Sequence, residues 1–175
     1  MKKESGLGLI HVYTGRGKGK TTAALGLAMR AAGHGFKVGI IHFMKIWDYG
    51  EVKSLQKLEI DLFRYGTTEL IDPKNPSPID FEEAKKAIEK AEELIEKADH
   101  DILILDEINV ALDFKLIPLS RVVDLLENKP DNLELILTGR NCPKELIERA
   151  DLVSVIDAFK HPYKGGLESR KGIEF

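Results

Sequence analysis

The sequence predicts an α/β domain in which a mostly parallel β-sheet carries helices on both faces, with residues 1–175 forming a single domain. Three observations lead there. A short apolar strand enters an alanine-rich helix through the glycines Gly15, Gly17 and Gly19, as an α/β unit begins. The run Ile102 to Leu105 is apolar throughout and ends in Asp106-Glu107, the pattern of a central parallel strand covered on both sides. Strand-like and helix-like segments then alternate along the chain, which places any ligand at the carboxyl ends of the strands.

Each element follows from its own residues. Leu9 to Thr14 reads as a buried strand, and Lys20 to Ala32 as a helix stopped by Gly33-His34-Gly35. Lys37 to Met44 is a second strand, rich in β-branched residues, and Ile60 to Tyr65 a third, with a short helix near Glu51 to Leu58 between them. Gly66 to Ile79 carries Pro73, Pro76 and Pro78 and reads as a long loop of the kind that a compact domain keeps for binding. From Asp80 to Ala98 the apolar residues recur at helical spacing, with Asp80 and Glu83 placed like an N-cap and its capping-box partner. Leu133 to Thr138 and Leu152 to Ile156 repeat the buried-strand pattern, with helices near Ser120 to Asn128 and Pro143 to Ala150 between them.

Composition narrows the function. The chain is 43% hydrophobic and 31% charged, as globular domains are, and its length suits one core. No apolar run approaches the roughly 20 residues that cross a bilayer, and the stretch after the basic Met1 to Ser5 is too short for a signal peptide. A membrane role is therefore not expected, and a cytoplasmic location is. With a net charge of −3 and no broad cationic face, nucleic acid is a poor partner. The single cysteine, Cys142, reads as an unremarkable free thiol. Histidines 11, 34, 42, 100 and 161 show no metal-ligand spacing and read as structural.

The chemistry concentrates in Gly15-Arg16-Gly17-Lys18-Gly19-Lys20-Thr21-Thr22. Glycines let the backbone turn tightly and aim N–H groups inward, Lys20 adds a cation, and the helix that follows presents its positive dipole end. Together these cradle the phosphates of ATP, and Thr21 stands where a P-loop hydroxyl reaches Mg²⁺. The loop departs from the usual Walker A spacing: position 14 is Thr, and the first glycine comes one residue late. That departure points away from routine hydrolysis. Asp106 and Glu107 stand where a strand-end carboxylate holds or supports magnesium, or else they are the acidic start of a helix over Ile108 to Asp113. Arg140, after the next strand, adds a cation to the same crevice or is a surface turn residue. The basic tail around Lys160 and His161 is either a lid over an anion or a solvated tail.

Five stretches carry a family resemblance: HVYTGRGKGKTTAALGLAMRAAGHG (His11 to Gly35), LDE at Leu105 to Glu107, LTGRNCPKELIERADLVSVI (Leu137 to Ile156), KHPY from Lys160, and GIEF from Gly172. They closely resemble the ATP:corrinoid adenosyltransferases of the P-loop type. The resemblance implies a P-loop NTPase-like (RecA-like) fold and an enzyme of adenosylcobalamin biosynthesis or salvage. In that reaction cobalt(I) of cobalamin or a precursor corrinoid attacks C5′ of ATP and expels triphosphate. It further implies that Gly15, Arg16, Gly17, Lys18, Gly19, Lys20, Thr21 and Thr22 bind ATP, with Arg140, Lys160 and His161 as weaker contacts. Thr21, Asp106 and Glu107 would hold Mg²⁺, and Lys20, Thr21 and Glu107 would serve catalysis. The implied partners are ATP, the reduced corrinoid, a reduced flavoprotein electron donor and a second copy of the chain in a homodimer.

One stretch departs from the family. Where its members carry an aromatic pair in a Gly-Phe-Thr-Trp-like segment, this chain has Tyr65-Gly66-Thr67-Thr68-Glu69-Leu70. Phe63, Tyr65, Trp47 or Tyr49 would have to supply the rings that face the corrinoid, unless each belongs to the core. Read without the resemblance, the same residues also suit a P-loop ATPase or kinase acting on the γ-phosphate, or a nucleotide-dependent switch.

Overall fold

A computed structural model describes residues 6–175. The N-terminal stretch Met1 to Ser5 lies outside the described residues. Six strands form one sheet in the order β3-β2-β4-β5-β1-β6, and every neighbouring pair is parallel. They are β1 (Ile10–Thr14), β2 (Val38–His42), β3 (Asp61–Arg64), β4 (Ile102–Asp106), β5 (Glu134–Thr138) and β6 (Leu152–Val155). Between them run α1 (Lys20–Gly33), α2 (Gly50–Lys57), α3 (Pro78–Lys97), α4 (Ile108–Asp113), α5 (Leu119–Asn128) and α6 (Lys144–Arg149).

The sheet divides the core in two because successive side chains of a strand point to opposite faces. On one face Val12, Ile41, Leu103, Leu105, Leu135 and Leu137 meet α3, α5 and α6. On the other, Tyr13, Ile40, Ile104 and Ile136 meet α1 and α2. In α1 the buried residues are Lys20, Ala24, Ala28 and Ala31, spaced to share one stripe. Alanine there lets the helix lie close on the sheet, and Lys20 at its first turn is carried under the glycine loop.

The elements fall within two residues of the sequence reading. But β6, read as buried, is an edge strand with Leu152, Val153 and Val155 exposed because it has no neighbour beyond it, and the start of α3 changes its capping. α3 begins at Pro78 rather than at Asp80, and its N-cap is Ser77. Asp80 is the capping-box partner instead: its Oδ2 accepts from the Ser77 N–H at 2.8 Å and from the Ser77 hydroxyl at 2.7 Å. Proline suits the first turn of a helix, where its missing N–H costs nothing. Glu83 is free for another task, and its Oε2 accepts from the Gly66 N–H at 3.2 Å, tying α3 to the loop after β3.

Three strand ends converge at the carboxyl edge of the sheet. Tyr13 of β1 is in register with Thr138 of β5, and Leu105 of β4 with Leu137 of β5. Thr14, Asp106 and Thr138 thus stand side by side where the chain leaves each strand.

Candidate functional site

The glycine loop leaves β1 as a tight arch against β6. The Gly17 N–H donates to the Ile156 carbonyl at 2.7 Å, and the Arg16 N–H to Asp157 Oδ1 at 3.0 Å. A β-carbon on Gly15 would sit 2.5 Å from the Ile156 oxygen, and one on Gly17 2.7 Å from the Asp157 carbonyl carbon, so neither position admits a side chain. Gly15 and Gly19 also hold φ angles of 101° and 122°, which L-residues avoid. Thr14, where a standard loop would have its first glycine, is the last residue of β1 and pairs with Val155. The arch is short because the strand extends one residue further.

The arch, the start of α1 and the segment after β2 enclose a cavity of about 660 Å³. Arg16 to Thr22 line it, as do Glu107, Arg140 and His161. Lys160 is exposed and does not line it. The Lys20 ammonium donates to the Gly17 carbonyl at 2.7 Å. Its burial pulls the pKa down, with Glu107 and Asp106 working in the opposite direction. Lys18 reaches instead to the C-terminal turn, donating to the Ile173 carbonyl at 2.8 Å and to Glu174 Oε1 at 3.1 Å. Gly172 to Phe175 form the cavity's outer wall there.

Beneath the arch lies Asp106, only 1% exposed. Its Oδ1 accepts from the hydroxyls of Thr21 (2.9 Å) and Thr138 (2.7 Å), and its Oδ2 faces the Lys45 ammonium at 3.4 Å. Burial works against its ionisation, yet Lys45, His42 and the two hydroxyls outweigh burial and hold the carboxyl below its usual range. His42 is fully buried 3.8 Å from Oδ2, and its pKa is pushed down to about 4, chiefly by burial. It is a neutral imidazole at physiological pH. Asp106 ends β4, and Glu107, with φ 66°, is the N-cap residue of α4 but makes no side-chain cap, so the pair is not an acidic first turn of that helix. Burial first, then the Asp106 charge, raises the pKa of Glu107.

A second cavity, about 310 Å³ and largely apolar, adjoins the first. Phe43, Met44, Trp47, Leu70, Val110 and Phe114 form much of its wall. Its rim is stitched across the loops after β2 and β3. The Lys45 N–H donates to the Tyr65 carbonyl at 2.8 Å, Trp47 Nε1 to the Thr68 carbonyl at 2.9 Å, and Arg64 to the carbonyls of Ile46 and Trp47. Of the four rings considered from sequence, Trp47 and Tyr49 line this cavity, while Phe63 and Tyr65 pack on the core.

Sequence reasoning missed Lys45 and Glu51, which line the phosphate cavity beside Tyr49. They belong to no motif. Their one signal was position, in the segment leaving a buried strand at its carboxyl end.

Comparison with known proteins is consistent with this geometry. The family described as ATP:corrinoid adenosyltransferase BtuR/CobO/CobP matches residues 6–175. A corrinoid adenosyltransferase of Escherichia coli (strain K12) is 35% identical over 169 residues, covering 96% of this chain and 86% of that protein. One of Sinorhizobium sp is 39% identical over 176 residues, covering 96% and 80%. Corrinoid adenosyltransferase CobA of Salmonella typhimurium is 32% identical over 169 residues, covering 96% and 86%. By the reach of that match and these identities, the chain belongs to the ATP:corrinoid adenosyltransferase family.

Proposed function

We propose that this single domain moves the 5′-deoxyadenosyl group of ATP to cobalt(I) of a corrinoid and releases triphosphate. The observation that carries the reading is the pairing of cavities: a cationic, glycine-arched one shares a wall with an apolar one. A triphosphate fits the first, and the flat face of a corrinoid needs the second. The Arg16 and Gly17 amides are spent on holding the arch against the chain after β6, so the backbone N–H groups of Lys18 to Lys20, with the Lys20 ammonium, hold the phosphates and stabilise the charge that grows on them as they leave. The protein needs no nucleophile of its own, because the reduced cobalt supplies one.

Magnesium fits the residues present. Thr21 and Glu107 offer the hard oxygen donors that it prefers. Among the described residues, no group of three or more His, Cys, Asp or Glu could hold a metal, so phosphate and water would complete the shell. Asp106 lies behind Thr21 and orients its hydroxyl. Bound there, the ion would neutralise charge on the triphosphate as it departs. Trp47 and Tyr49 are the rings placed to meet the corrinoid, standing in for the aromatic pair that the segment after β3 lacks. Arg140 and His161, which also line the phosphate cavity, contribute to holding the nucleotide. The homodimer and the reduced flavoprotein donor are proposed from the family resemblance, and the cytoplasmic location from the single cysteine and the composition; no helix among the described residues is long and apolar enough to cross a membrane.

The test is direct. The protein is incubated with ATP, Mg²⁺ and chemically reduced cobalamin in the dark without oxygen. A light-sensitive cobalt–carbon product with stoichiometric triphosphate is expected, whereas ADP and phosphate, or unchanged ATP, would refute the reading.

A further inference from the structure

Among the described residues, Lys45, Tyr49 and Glu107 line both the phosphate cavity and the apolar cavity. With triphosphate on the arch and corrinoid on the apolar wall, the carbon that changes partners must lie at this shared wall. The entering cobalt and the leaving oxygen stand on opposite sides of that carbon. Of the three residues, Glu107 is an acid and Tyr49 a phenol held un-ionised by burial. Lys45 is the cation.

Its ammonium is fixed from three sides. It lies 3.4 Å from Asp106 Oδ2, 3.4 Å from Glu51 Oε1 and 4.6 Å from the centre of the Tyr49 ring. The ammonium donates one proton to Asp106 Oδ2 in a long bond, and an ammonium has three donors, so a proton remains for a further acceptor. Lys20, by contrast, lines only the phosphate cavity and turns its ammonium to the Gly17 carbonyl.

We infer that Lys45 is a catalytic residue of the transfer, donating a hydrogen bond to the 5′ oxygen of ATP as the carbon–oxygen bond breaks. The inference rests on the adenosyl-transfer reading above. In that step cobalt(I) gives an electron pair to C5′ and forms the cobalt–carbon bond. The carbon–oxygen pair departs with triphosphate, cobalt ends as cobalt(III), and no proton need move. Charge appears on the leaving oxygen only as the bond breaks, so an ammonium already in place favours the transition state over bound ATP. Its loss should therefore fall on kcat and not on ATP affinity.

The experiment compares the parent, Lys45→Met, Lys45→Arg and the double variant Lys45→Met with Glu51→Gln, which avoids leaving Glu51 without its cation. ATP affinity is measured by calorimetry without corrinoid, and turnover with reduced cobalamin over a range of Mg²⁺. The expected result is parental ATP affinity in at least one methionine variant, with kcat down on the order of 100-fold at every Mg²⁺ concentration. Arginine should restore part of that loss. The inference is overturned if the loss lies in KM for ATP, if added Mg²⁺ abolishes it, if kcat is unchanged, or if neither methionine variant binds ATP. A parent that binds ATP but forms no cobalt–carbon bond would overturn the adenosyl-transfer reading itself, a distinct result.

Discussion

Thr21 Oγ1 donates a 2.9 Å hydrogen bond to Asp106 Oδ1, joining residues 85 positions apart. The same oxygen accepts from Thr138, whose Oγ1 in turn accepts from the Glu107 N–H at 3.0 Å. One buried carboxylate thus ties the glycine loop to the ends of β4 and β5. Because the Thr21 proton is committed to Asp106, its oxygen lone pairs remain for a cation over the arch.

Thr21→Val keeps the shape and removes the hydroxyl. Turnover should fall on the order of 100-fold through loss of the magnesium contact, while stability should fall by only about 1 kcal/mol, the usual net worth of one hydrogen bond. Asp106→Asn should behave differently, since it leaves Lys45 and His42 beside a neutral amide. A loss of about 3 kcal/mol is expected from breaking a buried pair. Chemical denaturation alongside the turnover assay checks both, and a Thr21→Val variant with parental turnover would remove the threonine from the metal site.

Gly15→Ala should unseat the arch. Its β-carbon would meet the Ile156 oxygen at 2.5 Å, and φ 101° is already unfavourable for alanine. A cost of about 2 kcal/mol or more is expected, together with loss of ATP binding in calorimetry. Gly26→Ala is the control, since a β-carbon there meets nothing within 4 Å and the residue lies inside a helix. Parental ATP affinity in Gly15→Ala would show that the arch tolerates a side chain.

Much of this was legible in the residues. The central strands announced themselves because a sheet covered on both faces demands continuous apolar runs, and the loop from Gly15 to Thr22 because cradling phosphate demands glycine and lysine at fixed offsets; the same apolar pattern misled at β6, an edge strand whose Leu152, Val153 and Val155 are exposed. The start of α3 was misplaced because Ser77-x-x-Asp80 and Asp80-x-x-Glu83 both satisfy the capping pattern, and Pro78 looked like a loop residue. Lys45 stayed hidden for a different reason. Its role depends on Asp106 and Glu51 arriving from other elements, and no local spacing encodes that meeting.

Cys142→Ser should be nearly silent in turnover. Burial pushes the thiol from an ordinary 9.0 up to about 12. A raised pKa means less thiolate at any working pH, roughly a thousandfold less than at an exposed cysteine. Iodoacetamide at pH 8 should label the native protein far more slowly than the denatured one, and mass spectrometry reads the difference. Rapid native labelling with loss of activity would place the thiol in the site.

Glu134→Ala should weaken the fold and spare the chemistry. At the amino end of the sheet, Glu134 Oε2 accepts from the N–H groups of Gly8 (2.6 Å) and Leu9 (2.7 Å), and Oε1 lies 2.8 Å from His11 Nε2. The carboxylate is 8% exposed and clamps the segment that leads into β1. Alanine takes this acceptor from two backbone amides and the partner from His11, for a loss of about 3 kcal/mol. In a chain of this length that corresponds to a melting temperature lower by roughly 6–12 °C. ATP and corrinoid gather at the opposite, carboxyl ends of the strands, so kcat per folded molecule at low temperature should match the parent. Thermal melts paired with turnover at about 15 °C, tens of degrees below the usual melting range of such domains, make the comparison. A variant that melts as the parent does but turns over slowly would mean that the clamp reaches the site through β1.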